Sequence, residues 1–103
     1  MSRKGWSEEY SARQILDDKF GRPNVIKVAI SQFGADFICL EKGRISLVVE
    51  VKGRHSKKYY ANKEDLAQFE RIKEFCLEHN CRGEIWIKYP YKEFEIKEIN
   101  KKI

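Results

Sequence analysis

Ile45-Ser46-Leu47-Val48-Val49-Glu50-Val51-Lys52 is the stretch on which the reading of the whole chain turns. Ile45 to Val51 is dense in β-branched residues, which suit a pleated, buried surface, so it is read as a strand. Glu50 and Lys52 interrupt its apolar run. Side chains along a strand alternate between faces, so these two share one face while Val49 and Val51 point the other way. A carboxylate and an ammonium at the end of a hydrophobic strand call for an explanation from chemistry or from solvent.

Working toward the N-terminus, Glu41-Lys42-Gly43-Arg44 reads as a hairpin turn that leads back to a short strand from Asp36 to Leu40. Gly34 precedes that strand, and Val25 to Ile30 supplies another. Before it, Ser7 to Lys19 carries Ala12, Ile15, Leu16 and then Phe20 at helical spacing, with Gly21 and Pro23 as the stop and Ser7 as a helix cap. Toward the C-terminus, the interval from Val51 to Lys63 holds Lys52, Arg54, Lys57, Lys58 and Lys63 and no acid, and reads as a basic loop. Lys63 to His79 places Leu66, Phe69, Ile72, Phe75 and Cys76 on one helical face. Glu84 to Tyr89 alternates, with Ile85 and Ile87 on one side, and Phe94 to Ile99 is a candidate last edge strand after Pro90. The element order is αβββαβ with that further strand.

Composition bounds the function. The chain of 103 residues has the length of one compact domain, residues 1–103, and carries no repeat and no Pro/Gly/Ser linker. Hydrophobic residues make up 42%, enough for a core, while the longest apolar stretches, Phe37 to Leu40 and Leu47 to Val49, are far too short to span a bilayer. Membrane insertion and secretion are therefore not expected. The 21 Lys and Arg against 16 Asp and Glu leave +5, a surplus that favours polyanionic partners if it gathers on one face. Cys39, Cys76 and Cys81 are odd in number and lack a framework spacing, which fits a reducing cytoplasm. A zinc site from Cys76, His79 and Cys81 lacks a second cysteine pair, and thiols near a helix end explain them better.

The hairpin order brings Asp36 alongside Glu50, two carboxylates close enough to share a divalent cation. Hard ions such as Mg²⁺ take oxygen ligands and usually retain waters. An ammonium two residues along, Lys52, is placed to stabilise charge developing at a phosphate or to orient an attacking water. The bland alternative is a solvated Glu50–Lys52 pair with Asp36 as a turn residue.

Asp36 followed by Glu50-Val51-Lys52 at the end of a hydrophobic strand resembles the PD-(D/E)xK nuclease signature, whose core has the same αβββαβ order. The chain is most similar to the archaeal-type Holliday junction resolvases, small homodimeric Mg²⁺-dependent enzymes that begin with an Arg-Lys-Gly segment and a Glu on the first helix. Arg3-Lys4-Gly5 and Glu9 match that start, and the similarity runs on through the basic loop, the second helix and the following strand. The resemblance implies a restriction-endonuclease-like α/β fold, a mixed central sheet flanked by helices. It makes Glu9, Asp36 and Glu50 the acidic metal-site residues, the Val51 backbone carbonyl a further ligand and Lys52 the catalytic lysine. Mg²⁺ is the implied cofactor, with Mn²⁺ as a substitute. Glu8 is the alternative to Glu9, and Ser31 resembles a serine acting near the scissile phosphate, one residue further from the Asp. Ala29-Ile30-Ser31-Gln32-Phe33 stands where the family has a glycine-rich patch.

Arg3, Lys4, Arg54, His55, Lys57, Lys58 and Lys63 are the candidate DNA contacts. His55 is also a candidate general base, Gln68 a candidate to reach the site from the second helix, and Tyr59 and Tyr60 candidates to stack on a base. The expected activity is metal-dependent cleavage of four-way junctions by a cytoplasmic homodimer whose two sites cut two strands. Trp86, Tyr89, Tyr91 and Phe75 are candidate interface residues, with ordinary core the competing reading. The alternatives are a nuclease of this fold acting on another DNA substrate, whether branched, nicked or single-stranded, and a catalytically silent nucleic-acid-binding module.

Overall fold

The computed structural model describes residues 4–29, 34–53, 60–90 and 92–99. Helix α1 (Lys4–Phe20) and a 3-10 turn at Arg22–Asn24 lead into strands β1 (Val25–Lys27), β2 (Phe37–Glu41) and β3 (Arg44–Gly53). Helix α2 (Lys63–His79) and strands β4 (Arg82–Lys88) and β5 (Glu95–Glu98) follow. The expected αβββαβ order is present, and the further strand is β5.

The five strands form one sheet in the order β1-β2-β3-β4-β5. Neighbours are antiparallel except β3 and β4, which run parallel with Glu50 opposite Ile85 and Lys52 opposite Ile87. Parallel neighbours need a crossover connection, and α2 lies in it. The β2–β3 hairpin closes through Lys42 and Gly43, both at positive φ, the backbone that a two-residue hairpin turn demands.

Each helix covers one face. Ala12 and Leu16 of α1 pack with Val25, Phe37, Cys39, Leu47, Val49 and Trp86. Ile72 and Cys76 of α2 pack on the other side with Val48, Cys81, Ile85, Ile87 and Ile99. With both of its faces covered, β3 reads as a nearly continuous apolar run and not as an alternating one. The layering also fixes where the interruption points. Val49 and Val51 lie under α1, whereas Glu50 and Lys52 continue the row of Val48 toward α2.

The elements depart from the sequence reading in a few places. α1 begins at Lys4, so Ser7 sits inside the helix and is not its cap; no proline in the preceding residues stops the helix from extending. β1 ends at Lys27, short of Ile30, because its one partner, β2, begins at Phe37, opposite Lys27. Beyond that pair a single bond from the Val28 N–H to the Asp36 carbonyl, 2.8 Å, continues the ladder. β3 runs on to Gly53. Trp86 is a core residue, 3% exposed and packed against Phe94, which removes it from the candidate interface. The three cysteines are buried and form no disulfide, and burial pushes the Cys39 and Cys76 thiols up to about 12, so they behave as small apolar side chains.

Candidate active site

Glu50 is 6% exposed, one of two buried charged residues among those described; the other is Asp65. Its Oε2 accepts a hydrogen bond from Gln68 Nε2 of α2 at 3.0 Å and lies 3.3 Å from Lys52 Nζ. Gln68 Nε2 also donates to the Gly34 carbonyl at 2.6 Å, so one amide ties the segment before β2 to the buried carboxylate. Gln68, a candidate from the sequence to reach the site, thus contacts Glu50.

Asp36 precedes β2 by one residue but is held as firmly as a strand residue. Its N–H donates to the Val49 carbonyl at 2.9 Å, and its carbonyl accepts from Val28. Its Oδ2 accepts from the Val51 N–H at 2.8 Å, which fixes the carboxylate beside the end of β3. There it lies near enough to Glu50 for the two carboxylates to oppose each other's charge. The two acids share a small open cleft lined also by Val28, Ala29, Gly34, Ala35 and Gln68.

Electrostatics registers this proximity. The Glu50 carboxyl is pushed up to about 8, first by burial and then by the Asp36 charge, with Lys52 opposing. Two neighbouring carboxylates whose charges oppose one another form the oxygen donor set that a hard divalent cation takes. The chemistry of the pair thus fits Mg²⁺, which commonly uses one or two carboxylates and keeps waters. Among the described residues no group of three His, Cys, Asp or Glu side chains is gathered closely enough to hold an ion.

Glu9 does not join the pair directly. Lys27 Nζ stands between, 3.1 Å from Glu9 Oε1 and 3.6 Å from Asp36 Oδ1, so α1 is linked to the site through a cation. Glu8 packs elsewhere, against Gly53 at the end of β3. A Cβ on Gly53 would overlap the Glu8 carboxylate, the far end of a flexible side chain that would have to swing aside. Lys52, whose side chain is 16% exposed, is held between Glu50 and Asp65, with Asp65 Oδ1 accepting from its Nζ at 3.1 Å.

Of the remaining candidates, Lys63 is exposed at the first residue of α2, and Tyr60 is 76% exposed. Lys4 opens α1. Arg3, Ser31, Arg54, His55, Lys57, Lys58, Tyr59 and Tyr91 lie outside the described residues. The sequence reading misses Lys27 and Asp65. Asp65 has a signal: it lies three residues before Gln68, on the same helical face.

No protein-family model matches the chain, and no curated protein matches it significantly. A search of solved structures does find a match, the 1.6 Å structure of Archaeoglobus fulgidus Hjc, a Holliday junction resolvase from an archaeal hyperthermophile. The TM-score is 0.64 at 19% identity, over 94% of this chain and 74% of that one. The sheet order, the flanking helices and this match agree with the resemblance read from the Asp36 and Glu50-Val51-Lys52 motif: the chain has the restriction-endonuclease-like fold found in an archaeal Holliday junction resolvase.

Proposed function

We propose that the protein is a metal-dependent DNA endonuclease that cuts four-way junctions. The observation that carries this reading is the Asp36–Glu50 carboxylate pair with Lys52 against it, set at the end of β3 in the fold that a resolvase shares. Asp36, Glu50 and the Val51 backbone carbonyl are the residues that would hold Mg²⁺ or Mn²⁺, with Glu9 as the further acid and Glu8 its alternative. When bound, the ion supplies Lewis-acid stabilisation of charge at the phosphate.

The chain's own residues do the rest. Gln68 holds Glu50 in place, and the Val51 N–H holds Asp36, so neither carboxylate has to be ordered when substrate arrives. Lys52 places a positive charge beside them, where an anionic phosphorane builds up negative charge during hydrolysis. Lys27 bridges Glu9 and Asp36, balancing their charges in the arrangement described. Ser31 is a candidate contact near the scissile phosphate.

Arg3, Lys4, Arg54, His55, Lys57, Lys58 and Lys63 are proposed to grip DNA phosphates. Replacing Arg54, Lys57 and Lys58 together with alanine should weaken junction binding and flatten its salt dependence, by about 0.9 slope units for each phosphate no longer neutralised. Titrations across a salt series check this, and an unchanged slope would return those residues to a solvated loop.

The working unit is proposed to be a homodimer in the cytoplasm, because paired cuts on opposing strands need two sites related by a two-fold axis. Sedimentation of the protein with a four-way junction should show two protomers per junction; one protomer per junction speaks for a nicking enzyme. Activity is tested on a mobile four-way junction beside linear duplex and single strands, with and without Mg²⁺. Paired junction cuts that require the metal are expected. Cleavage of another substrate alone would move the reading to a different nuclease of this fold, and binding without cleavage would leave a silent module.

A further inference from the structure

Asp65 is the second buried acid, at 6% exposed, and it lies outside the cleft that Asp36 and Glu50 line. It is the third residue of α2, and a capping box fixes it there. The Asn62 side chain accepts from the Asp65 N–H at 2.8 Å, and Asp65 Oδ2 accepts from the Asn62 N–H at 3.2 Å. With one oxygen engaged in the cap, Asp65 Oδ1 turns to the sheet and takes the Lys52 ammonium at 3.1 Å.

A lysine side chain has four rotatable bonds, and holding it in one place costs much of that freedom. Glu50 lies on the same strand two residues away and is already bonded to Gln68. A partner on one side only leaves the ammonium a swing toward solvent. Asp65 closes that swing from a different element, because α2 is anchored to the sheet through Ile72 and Cys76. The Asp65 carboxylate thus ties the start of α2 to the lysine of the Glu-x-Lys motif.

We propose that Asp65 is a positioning residue that holds the Lys52 ammonium beside Glu50 for phosphodiester cleavage, its carboxylate kept in place by the bond from the Asn62 backbone N–H, which does not depend on the Asn62 side chain. This rests on the nuclease reading above. The capping role and the positioning role are separable. Asn62→Ala removes the side-chain half of the cap and leaves the Asp65–Lys52 contact. Asp65→Asn keeps the shape and an oxygen for the cap while removing the charge. Asp65→Ser provides a second variant with a short cap acceptor should the first fold poorly.

The test compares wild type, D65N, D65S and N62A in single-turnover cleavage of a four-way junction with Mg²⁺ and in junction binding with Ca²⁺. It also follows the ¹H–¹⁵N signal of the Lys52 ammonium, which slow exchange makes visible when the group is held. The aspartate variants should cleave about 10- to 100-fold more slowly, the usual loss when a partner orienting a metal-site group is removed. They should bind the junction unchanged and lose the ammonium signal. N62A should melt at lower temperature yet keep both rate and signal. Full cleavage in D65N, or an equal loss of rate in N62A, overturns the proposal. If wild type cleaves no DNA the nuclease reading fails, and the ammonium signals still report whether Asp65 pins Lys52.

Discussion

Lys52→Ala should lower the single-turnover cleavage rate by about 10²–10³-fold, the usual cost of deleting one preorganised charge contact to a transition state. The expectation follows from where the ammonium is held. Its side chain is largely buried, 3.3 Å from Glu50 and 3.1 Å from Asp65, so it enters the reaction already ordered. A group buried among carboxylates adds little to the long-range attraction of DNA, which exposed lysines and arginines supply. Junction binding in Ca²⁺ should therefore change little. The same substitution leaves Glu50 and Asp65 without their shared cation, so some loss of stability is expected as well. Lys52→Met, which keeps more of the volume, separates that loss from the rate effect. A Lys52→Ala protein that cleaves at the wild-type rate would show that the motif lysine has no part in the chemistry.

Glu50→Gln should abolish cleavage and make the metal-free protein more stable at pH 8. Burial and the neighbouring Asp36 push the Glu50 carboxyl up to about 8 from its ordinary 4.5. Between those values the unfolded chain has released the proton while the folded chain still binds it. Stability contributed by the protonated group is full below the unfolded value and drains away as pH rises toward 8. One pKa unit corresponds to about 1.4 kcal/mol, so the wild-type protein in chelator should lose a few kcal/mol across that window. A neutral amide of the same shape has no proton to lose. At about 4–8 °C per kcal/mol for a domain of this size, Glu50→Gln should melt of order 10 °C above wild type at pH 8 and close to it at pH 5. Added Mg²⁺ should raise the wild-type melting temperature at pH 8 and affect the variant much less, because a ligand stabilises only the state that binds it. Thermal melts at the two pH values, with and without Mg²⁺, check both signs. A variant less stable than wild type at pH 8 would mean that the carboxylates do not oppose one another.

The parts of this structure that are legible in the sequence are those whose causes are local. α2 spans Lys63 to His79 as its apolar spacing indicates, because the periodic face begins at a capping box and ends at Asn80 in the left-handed conformation. The pairing of Asp36 with Glu50 is legible because a hairpin with a recognisable turn determines which residues of two strands lie side by side. Lys27 and Asp65 are not. Lys27 matters because β1 pairs with β2 at Lys27 and Phe37, which places its ammonium by Asp36 and beside Glu9. Asp65 matters because α2 crosses from β3 to a parallel β4, and the period of a helix shows which residues share a face but not which one lies over Lys52. Trp86 shows the converse. An aromatic near the last strands suits an interface equally well by sequence, and only the position of α1 and Phe94 makes it core.

Whether Asp36 and Glu50 form one cation site can be decided with a crystal soaked in Mn²⁺ at pH 8 and measured for anomalous scattering. A single strong peak is expected between the two carboxylates, within coordination distance of both and absent in Glu50→Gln. Carboxylates that stay paired through a shared proton at saturating Mn²⁺, with the ion bound elsewhere or not at all, would rule the shared site out.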